Sequence, residues 1–136
     1  MLALPTQRFD YVLDVAAQDI DALGHVNNAV YLQWVQIAVL RHWHRFAPKD
    51  VVTARLWVAL KHEIRYRQPA FLNDRLVVRL LLDKLRGAMA FYRAKIDRED
   101  ETLAEVQSCW CCLDSVTRKP VRLARDIVAR FLPSEI

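Results

Sequence analysis

Glycine is scarce in this sequence, with only 2 Gly among 136 residues. A chain that uses glycine so rarely is expected to place it where the backbone needs a positive φ angle or a close approach to another group. Gly24 lies in a polar stretch and is expected to be such a position. Gly87 lies between two strand-like segments, where a hairpin turn is expected.

Cysteine is also rare, and its 3 copies lie together within residues 108–112. Such an odd, closely spaced set cannot join distant segments by disulfides. It also lacks the separated pairs and the histidine partner of a zinc site. We therefore predict reduced thiols that fill strand positions in a reducing compartment, with no metal and no redox cofactor.

Long apolar runs are missing as well. No segment approaches the roughly 18 apolar residues that a membrane helix needs. Residues 1–5 lack the positively charged start of a signal peptide, and no apolar core of the expected length follows them. The sequence therefore predicts a cytoplasmic protein with no membrane partner.

Basic charge is not concentrated anywhere in the chain. The net charge is +4, but the basic residues are scattered. No basic block and no aromatic-plus-basic motif of an RNA-binding type is present, so we expect no nucleic-acid partner. A small anionic ligand, such as a nucleotide-tailed coenzyme, fits this pattern, and a merely solvated basic surface fits it equally.

The composition that remains is that of one folded domain, which we assign to residues 1–136. Hydrophobic residues make up 54% and charged residues 26%, a globular balance. The pattern predicts a strand at 8–17 and a long, largely buried helix at 29–46. Four further strands are predicted at 56–66, 75–85, 88–97 and 103–114, with a short helical tail at 123–132.

Short connections between the last four strands imply antiparallel neighbours. A helix with little polar surface must be covered by the sheet, so the predicted class is α+β, with one long helix wrapped by a curved antiparallel sheet. The other sheet face or edge still needs cover. A second copy of the chain is the simplest cover, which predicts a homodimer or homotetramer.

Residues 19–31, DIDALGHVNNAVY, gather most of the side chains that are capable of chemistry. Two carboxylates, a histidine, two asparagines and a glycine stand immediately before or within the start of the predicted helix. Asn27 and Asn28 can accept hydrogen bonds from the first free amides of that helix, so we interpret both as caps by default.

The run at 21–31, opening a long apolar helix, resembles the signature of hotdog-fold acyl-CoA thioesterases of the 4-hydroxybenzoyl-CoA thioesterase type. It is also similar to a segment of plant acyl-carrier-protein thioesterases. The sequence YRQPA at 66–70, followed by NDRL at 73–76, resembles the turn before that family's next strand. The resemblance covers essentially the whole chain and implies a hotdog fold that hydrolyses acyl-CoA without a cofactor.

By this resemblance Asp21 is the catalytic carboxylate, acting as nucleophile or as general base toward water. A backbone amide at the helix start, from Asn27 or Asn28, is expected to stabilise charge on the thioester oxygen, and Asn28 is counted with the catalytic residues. His25 matches a histidine of the carrier-protein enzymes, although Leu23 replaces their asparagine. It either orients Asp21 or the water, or is a loop histidine bonded to backbone.

Residues around the same loop are predicted to bind the substrate, namely Gly24, Asn27 and Tyr31. The phosphates of an acyl-CoA substrate call for basic residues near strand ends. The candidates are Arg65, Arg67, Lys84, Arg86, Arg118 and Lys119.

Two other functions stay open at this point. The hotdog fold also carries acyl-thioester hydratases and dehydratases, whose histidine follows an aspartate at a different spacing from that of Asp21 and His25. A non-catalytic module that binds acyl thioesters is the other alternative. Chain length of the acyl group and the choice between coenzyme A and carrier protein are not fixed by the sequence.

Overall fold

A computed structural model of the chain describes residues 5–132. Residues 1–4, which carry most of the expectation that no signal peptide is present, lie outside the described part, as do residues 133–136. The helices are α1 (Asn28–Phe46), α2 (Lys49–Ala54) and α3 (Arg125–Phe131). The strands are β1 (Arg8–Asp14), β2 (Arg55–Tyr66), β3 (Arg75–Arg86), β4 (Met89–Arg98) and β5 (Glu101–Asp114).

The five strands form one sheet in the order β1-β3-β4-β5-β2, and every neighbouring pair is antiparallel. The hairpin turn predicted at Gly87 is confirmed, with a φ angle of 59°, and a second hairpin turn joins β4 to β5 with a φ angle of 53° at Glu99. Helix α1 packs across β1 and β3. The predicted α+β arrangement of one long helix and an antiparallel sheet is therefore confirmed.

The core lies between α1 and one face of the sheet. Alternate residues of β3 are buried there, and α1 contributes a broad apolar face. On β3 the buried residues are Leu76, Val78, Leu80 and Leu82, and on α1 they include Val30, Tyr31, Trp34, Val35, Ala38, Val39 and Trp43. This alternation is what a sheet with one covered face requires.

Some predicted boundaries are wrong. The first strand ends at Asp14, because the chain then turns into a short 3-10 helix at Ala17–Asp19. The long helix ends at Phe46 as predicted, and Pro48 then stands as the N-cap of α2, a short helix that the sequence pattern did not predict. The tail helix is confirmed in a shorter form as α3.

The three cysteines lie on β5 as free thiols, as predicted. Cys111 and Cys112 are buried and Cys109 is half-buried. Burial raises the pKa of the Cys112 thiol to about 11. Within residues 5–132, no helix has both the length and the apolar character of a membrane span.

Candidate active site

Residues 19–27, which we call the Asp21 loop, form a small closed hairpin before α1. Ile20 and Val26 make an antiparallel bridge across it. The Asp21 N–H donates to the His25 carbonyl oxygen at 3.0 Å, and the Gly24 N–H donates to the Asp21 carbonyl oxygen at 3.0 Å. These bonds hold the predicted site residues Asp21, Gly24 and His25 together before the first turn of α1.

Gly24 has a φ angle of +87°, which confirms the expected positive value. A Cβ atom at this position would meet no atom within 4 Å among the described residues. The backbone conformation, and not a close approach, therefore requires glycine here.

Asp21 is a half-buried residue near the start of the loop. Its Oδ1 accepts the Leu23 N–H at 2.9 Å, a local bond typical of aspartate in turns. In residues 5–132, no other group donates to this carboxylate, so Oδ2 is available to water or a substrate.

His25 is half-buried, and its ring lies edge-on to Phe71 with centroids 6.4 Å apart. Within the described chain its side chain bonds neither Asp21 nor any backbone group. The interpretation of His25 as a histidine bonded to backbone is therefore not met among these residues, and its role in orienting Asp21 or the water stays a prediction.

The amides at the start of α1 have different partners. The Asn27 N–H donates to the Asp19 carbonyl oxygen at 2.9 Å, and the Val30 N–H donates to the Asn27 carbonyl oxygen at 2.9 Å. The Ala29 N–H donates to Asn27 Oδ1 at 2.9 Å, so Asn27 is a cap as predicted. The Asn28 N–H is left without an acceptor among residues 5–132. The interpretation of Asn28 as a second cap is wrong, because it is the first residue of the helix.

Two tyrosines support this helix start. The Tyr66 hydroxyl donates to the Asn28 carbonyl oxygen at 2.8 Å. Tyr31 lies in the core with its ring 5.3 Å from that of Tyr66, and burial raises the pKa of its hydroxyl. Its oxygen accepts the Ala70 N–H at 3.0 Å. Both Tyr66 and Ala70 belong to the YRQPA segment noted above, but their contacts with the start of α1 could not be predicted, because nothing local links the two segments.

Comparison with known families then identifies the fold. The family model of the thioesterase-like superfamily matches residues 15–131. The chain belongs to this superfamily. The recognition made from residues 21–31 is thereby confirmed, and so is the hotdog fold that it implied.

Named relatives of this thioesterase-like chain agree with that assignment. It is 30% identical over 131 residues to the acyl-CoA thioester hydrolase YbgC of Escherichia coli O6:H1, covering 93% of this chain and 97% of YbgC. It is 29% identical to the long-chain acyl-CoA thioesterase FadM of Escherichia coli K12, covering 85% of this chain and 90% of FadM. A thioesterase of Thermus thermophilus, solved with coenzyme A and zinc, superposes with a TM-score of 0.80 at 26% identity, covering 93% of each chain.

The six basic residues considered for the coenzyme A phosphates lie at two opposite ends of the sheet. Arg65, near the end of β2, and Arg67, just after it, lie at the end that carries the Asp21 loop, and Arg67 pairs with Glu105 at 3.0 Å. Lys84 and Arg86 end β3 at the far side, together with Arg118 and Lys119 after β5. A strand of twelve residues spans about 40 Å at 3.3 Å per residue, so only the first pair lies near the loop.

Proposed function

We propose that the protein hydrolyses acyl-CoA thioesters to a free acid and coenzyme A. One observation carries this proposal. Among residues 5–132, the half-buried Asp21 has a carboxylate oxygen that receives no donor, and the Asn28 N–H, directly after the Asp21 loop, has no acceptor. Family membership and the names of YbgC and FadM support the substrate class.

The Asn28 N–H is the proposed donor to the thioester oxygen. It stands at the positive end of a helix of 19 residues, where partial positive charge favours developing negative charge. Asn27 is excluded as the donor because its own N–H is already bonded to Asp19. Removing one such donor costs about 3 kcal/mol of transition-state stabilisation.

Asp21 can promote hydrolysis of the thioester by either of two chemical routes. As a nucleophile, Oδ2 bonds the carbonyl carbon, the C–S bond breaks, coenzyme A leaves as thiolate, and water hydrolyses the resulting anhydride. As a general base, Oδ2 takes a proton from water while the water oxygen bonds that carbon; the C–S bond then breaks and the proton passes to the departing coenzyme A thiolate. A single turnover in ¹⁸O-water tests for the nucleophilic route, since only that route, with water attacking the Asp21 carbonyl of the anhydride, puts a protein oxygen into the first product.

The direct test is thiol release from a panel of short, long and aromatic acyl-CoAs. Asp21→Asn is expected to abolish turnover, because the amide is neither nucleophile nor base, while the variant still folds. Asp19→Asn is the matched control, since Asp19 lies in the same loop and, within residues 5–132, its carboxylate accepts only the Ala16 N–H. Full activity of Asp21→Asn would overturn the proposal.

Substrate contacts are proposed around the same loop. Gly24 and Asn27 shape the entrance, His25 is placed to orient water, and the Tyr31 ring supports the slot from beneath. Arg65 and Arg67 are the proposed partners of the coenzyme A phosphates, because they lie at the loop's end of the sheet and Arg65 carries no ion pair among residues 5–132.

Self-association is proposed through β2, the longer of the two edge strands, as a homodimer that can pair into a homotetramer. Its Val58 and Leu60 side chains are 43% and 56% exposed. An antiparallel copy of β2 centred on His62 would put Lys61 opposite the partner's Glu63, and Glu63 opposite the partner's Lys61. Opposite charges across an antiparallel pair stabilise it. The shared edge would lie beside Tyr66 and hence beside the candidate site.

A charge swap tests this register. Lys61→Glu or Glu63→Lys alone is expected to weaken the dimer in sedimentation experiments, and the double variant is expected to restore it. A monomeric wild-type chain, or a double variant no better than the singles, would contradict the β2 interface. We propose a cytoplasmic location, in keeping with the free thiols of β5.

A further inference from the structure

The loop between β2 and β3, residues 67–74, lies against the Asp21 loop, and we call it the bracing loop. Its central residue, Ala70, is fully buried. The Ala70 N–H donates to the Tyr31 hydroxyl oxygen at 3.0 Å, and the Ala70 carbonyl oxygen accepts the Val26 N–H at 2.9 Å. Val26 stands between His25 and Asn27, so Ala70 fixes the Asp21 loop and the first turn of α1 together.

The bracing loop is itself held from outside by Arg98, the last residue of β4. Arg98 Nη1 donates to Asp74 Oδ2 at 2.7 Å and to the Pro69 carbonyl oxygen at 3.3 Å. Its Nη2 donates to Glu101 Oε1 at 2.6 Å. One guanidinium thus joins Pro69 and Asp74, on either side of Ala70, to the end of the sheet.

Asp74 connects Arg98 to residues closer to the Asp21 loop. Its Oδ2 also accepts the Phe71 N–H at 2.8 Å, which closes the turn after Ala70. Its carbonyl oxygen accepts the Val15 N–H at 2.9 Å, where β1 leads into the Asp21 loop. The side chains of Arg98 and Asp74 are only 26% and 21% exposed, so water competes weakly for these charge-assisted bonds.

We propose that Arg98 is a positioning residue for the thioesterase site, acting through Asp74 and Ala70 on the Asp21 loop and the Asn28 amide. The proposal rests on the proposed function. Arginine is needed because its planar fork reaches two carboxylates and a carbonyl at once, which a lysine ammonium on a flexible stem does not reproduce. Displacement of a catalytic group by about 1 Å costs about 100-fold in rate, so a loosened brace is expected to lower kcat.

Arg93 supplies a matched control on the same strand. It makes a two-pronged pair with Asp83, with contacts of 2.8 and 3.0 Å, but contacts no residue of the bracing loop. Arg98→Met is expected to lower kcat by about 10- to 100-fold while KM changes by less than about threefold. Arg93→Met is expected to leave both constants within about twofold, the range of an exposed pair.

Two conservative variants refine this test. Arg98→Lys is expected to recover part of the lost kcat. Asp74→Asn keeps an acceptor for the Phe71 N–H and tests the ion pair in a chain that retains its turn. The kcat of Asp74→Asn is expected to fall, as in Arg98→Met, with KM unchanged. An equal loss of kcat in Arg93→Met, or a loss confined to KM, would overturn the proposal.

Amide hydrogen exchange provides a readout that does not need activity. Arg98→Met is expected to speed exchange of the Val26 and Ala70 amides at least about tenfold, while the Ala94 amide in the middle of β4 keeps its protection. Unchanged Val26 exchange would overturn the bracing role, even in an active enzyme. If Val26 loses protection but wild-type protein releases no thiol, the proposed function fails and the bracing role stands.

Discussion

The Tyr66 hydroxyl donates to the Asn28 carbonyl oxygen at 2.8 Å, which joins the end of β2 to the first residue of α1. Asn28 carries the amide without an acceptor among the described residues, so Tyr66 holds the residue whose N–H faces the proposed thioester site. The ring of Tyr66 is also packed edge-on against Tyr31, at 5.3 Å and 79°. The helix start is thus fixed from the sheet as well as by its own cap.

Tyr66→Phe removes this hydrogen bond and keeps the ring contact. The free energy of unfolding is expected to fall by about 0.5–1.5 kcal/mol, the usual net value of one hydrogen bond. The kcat of thiol release is expected to fall several-fold. Urea unfolding and steady-state kinetics measure the two effects. Tyr11→Phe is the control, because its hydroxyl bonds no group in residues 5–132, and a similar kcat loss there would contradict the role of Tyr66.

Substitution of Asn27 separates capping from catalysis. Asn27→Ala loses the bond to the Ala29 N–H and is expected to cost about 1 kcal/mol of stability. Asn27→Asp keeps the cap, and its negative charge suits the helix dipole, so stability is expected to be retained. The added charge lies next to the Asn28 amide and opposes the oxyanion, so kcat is expected to fall more than in Asn27→Ala. Equal kcat values for the two variants would argue against Asn28 as the donor.

Gly24→Ala tests the backbone of the Asp21 loop. The space for a methyl group is open, but the φ angle of +87° is strained for alanine. A cost of about 1–3 kcal/mol is expected, measured as a lower midpoint of thermal unfolding. Gly24→Asn is expected to cost less, since asparagine tolerates positive φ better. Equal stability of wild type and Gly24→Ala would show that the loop relaxes without strain.

Regular elements of this fold could be predicted because their apolar patterns are local. Period-two burial on β3 and the long apolar face before Pro48 carry that signal directly. Helix α2 could not be predicted from the sequence, since its residues 51–53 are Val, Val and Thr, which favour strands by propensity. The helix forms there because the chain must turn between α1 and β2.

The residues of the candidate site could likewise be predicted only where their contacts are local in sequence. Asp21, Gly24 and Asn27 act through neighbours in sequence, and a turn or a cap can be read from spacing. Tyr66 and Ala70 act across 38 or more residues of chain, and Arg98 holds the bracing loop from 24 and 29 residues away. Only the sheet order brings the ends of β2 and β4 beside the Asp21 loop, so no local pattern shows these contacts.

His42 makes stability depend on pH. It is fully buried on α1, with Nδ1 2.8 Å from the Tyr92 hydroxyl and Nε2 2.7 Å from the Thr6 carbonyl oxygen. A carbonyl only accepts, so Nε2 carries the proton and Nδ1 accepts from Tyr92. Phe9, Phe46 and Phe131 surround the ring. Burial lowers the pKa of His42, because an imidazolium has no solvation there.

The unfolded chain therefore takes up a proton that folded His42 resists. The free energy of unfolding is expected to be highest above the unfolded pKa of about 6.5 and to fall as pH drops below it, by up to about 1.4 kcal/mol per pH unit from this group. Burial also lowers the pKa of His62, which adds in the same direction. Urea unfolding between pH 5 and 8 measures the slope.

His42→Leu is expected to flatten this slope without abolishing it, because His62 remains. The variant should also be less stable near neutral pH by about 1–3 kcal/mol, since the Tyr92 hydroxyl and the Thr6 carbonyl lose their buried partner. His44→Gln is the control, because His44 is exposed on the same helix and bonds no group in residues 5–132. An undiminished slope in His42→Leu, or a flattened one in His44→Gln, would show that the buried His42 does not set the pH dependence.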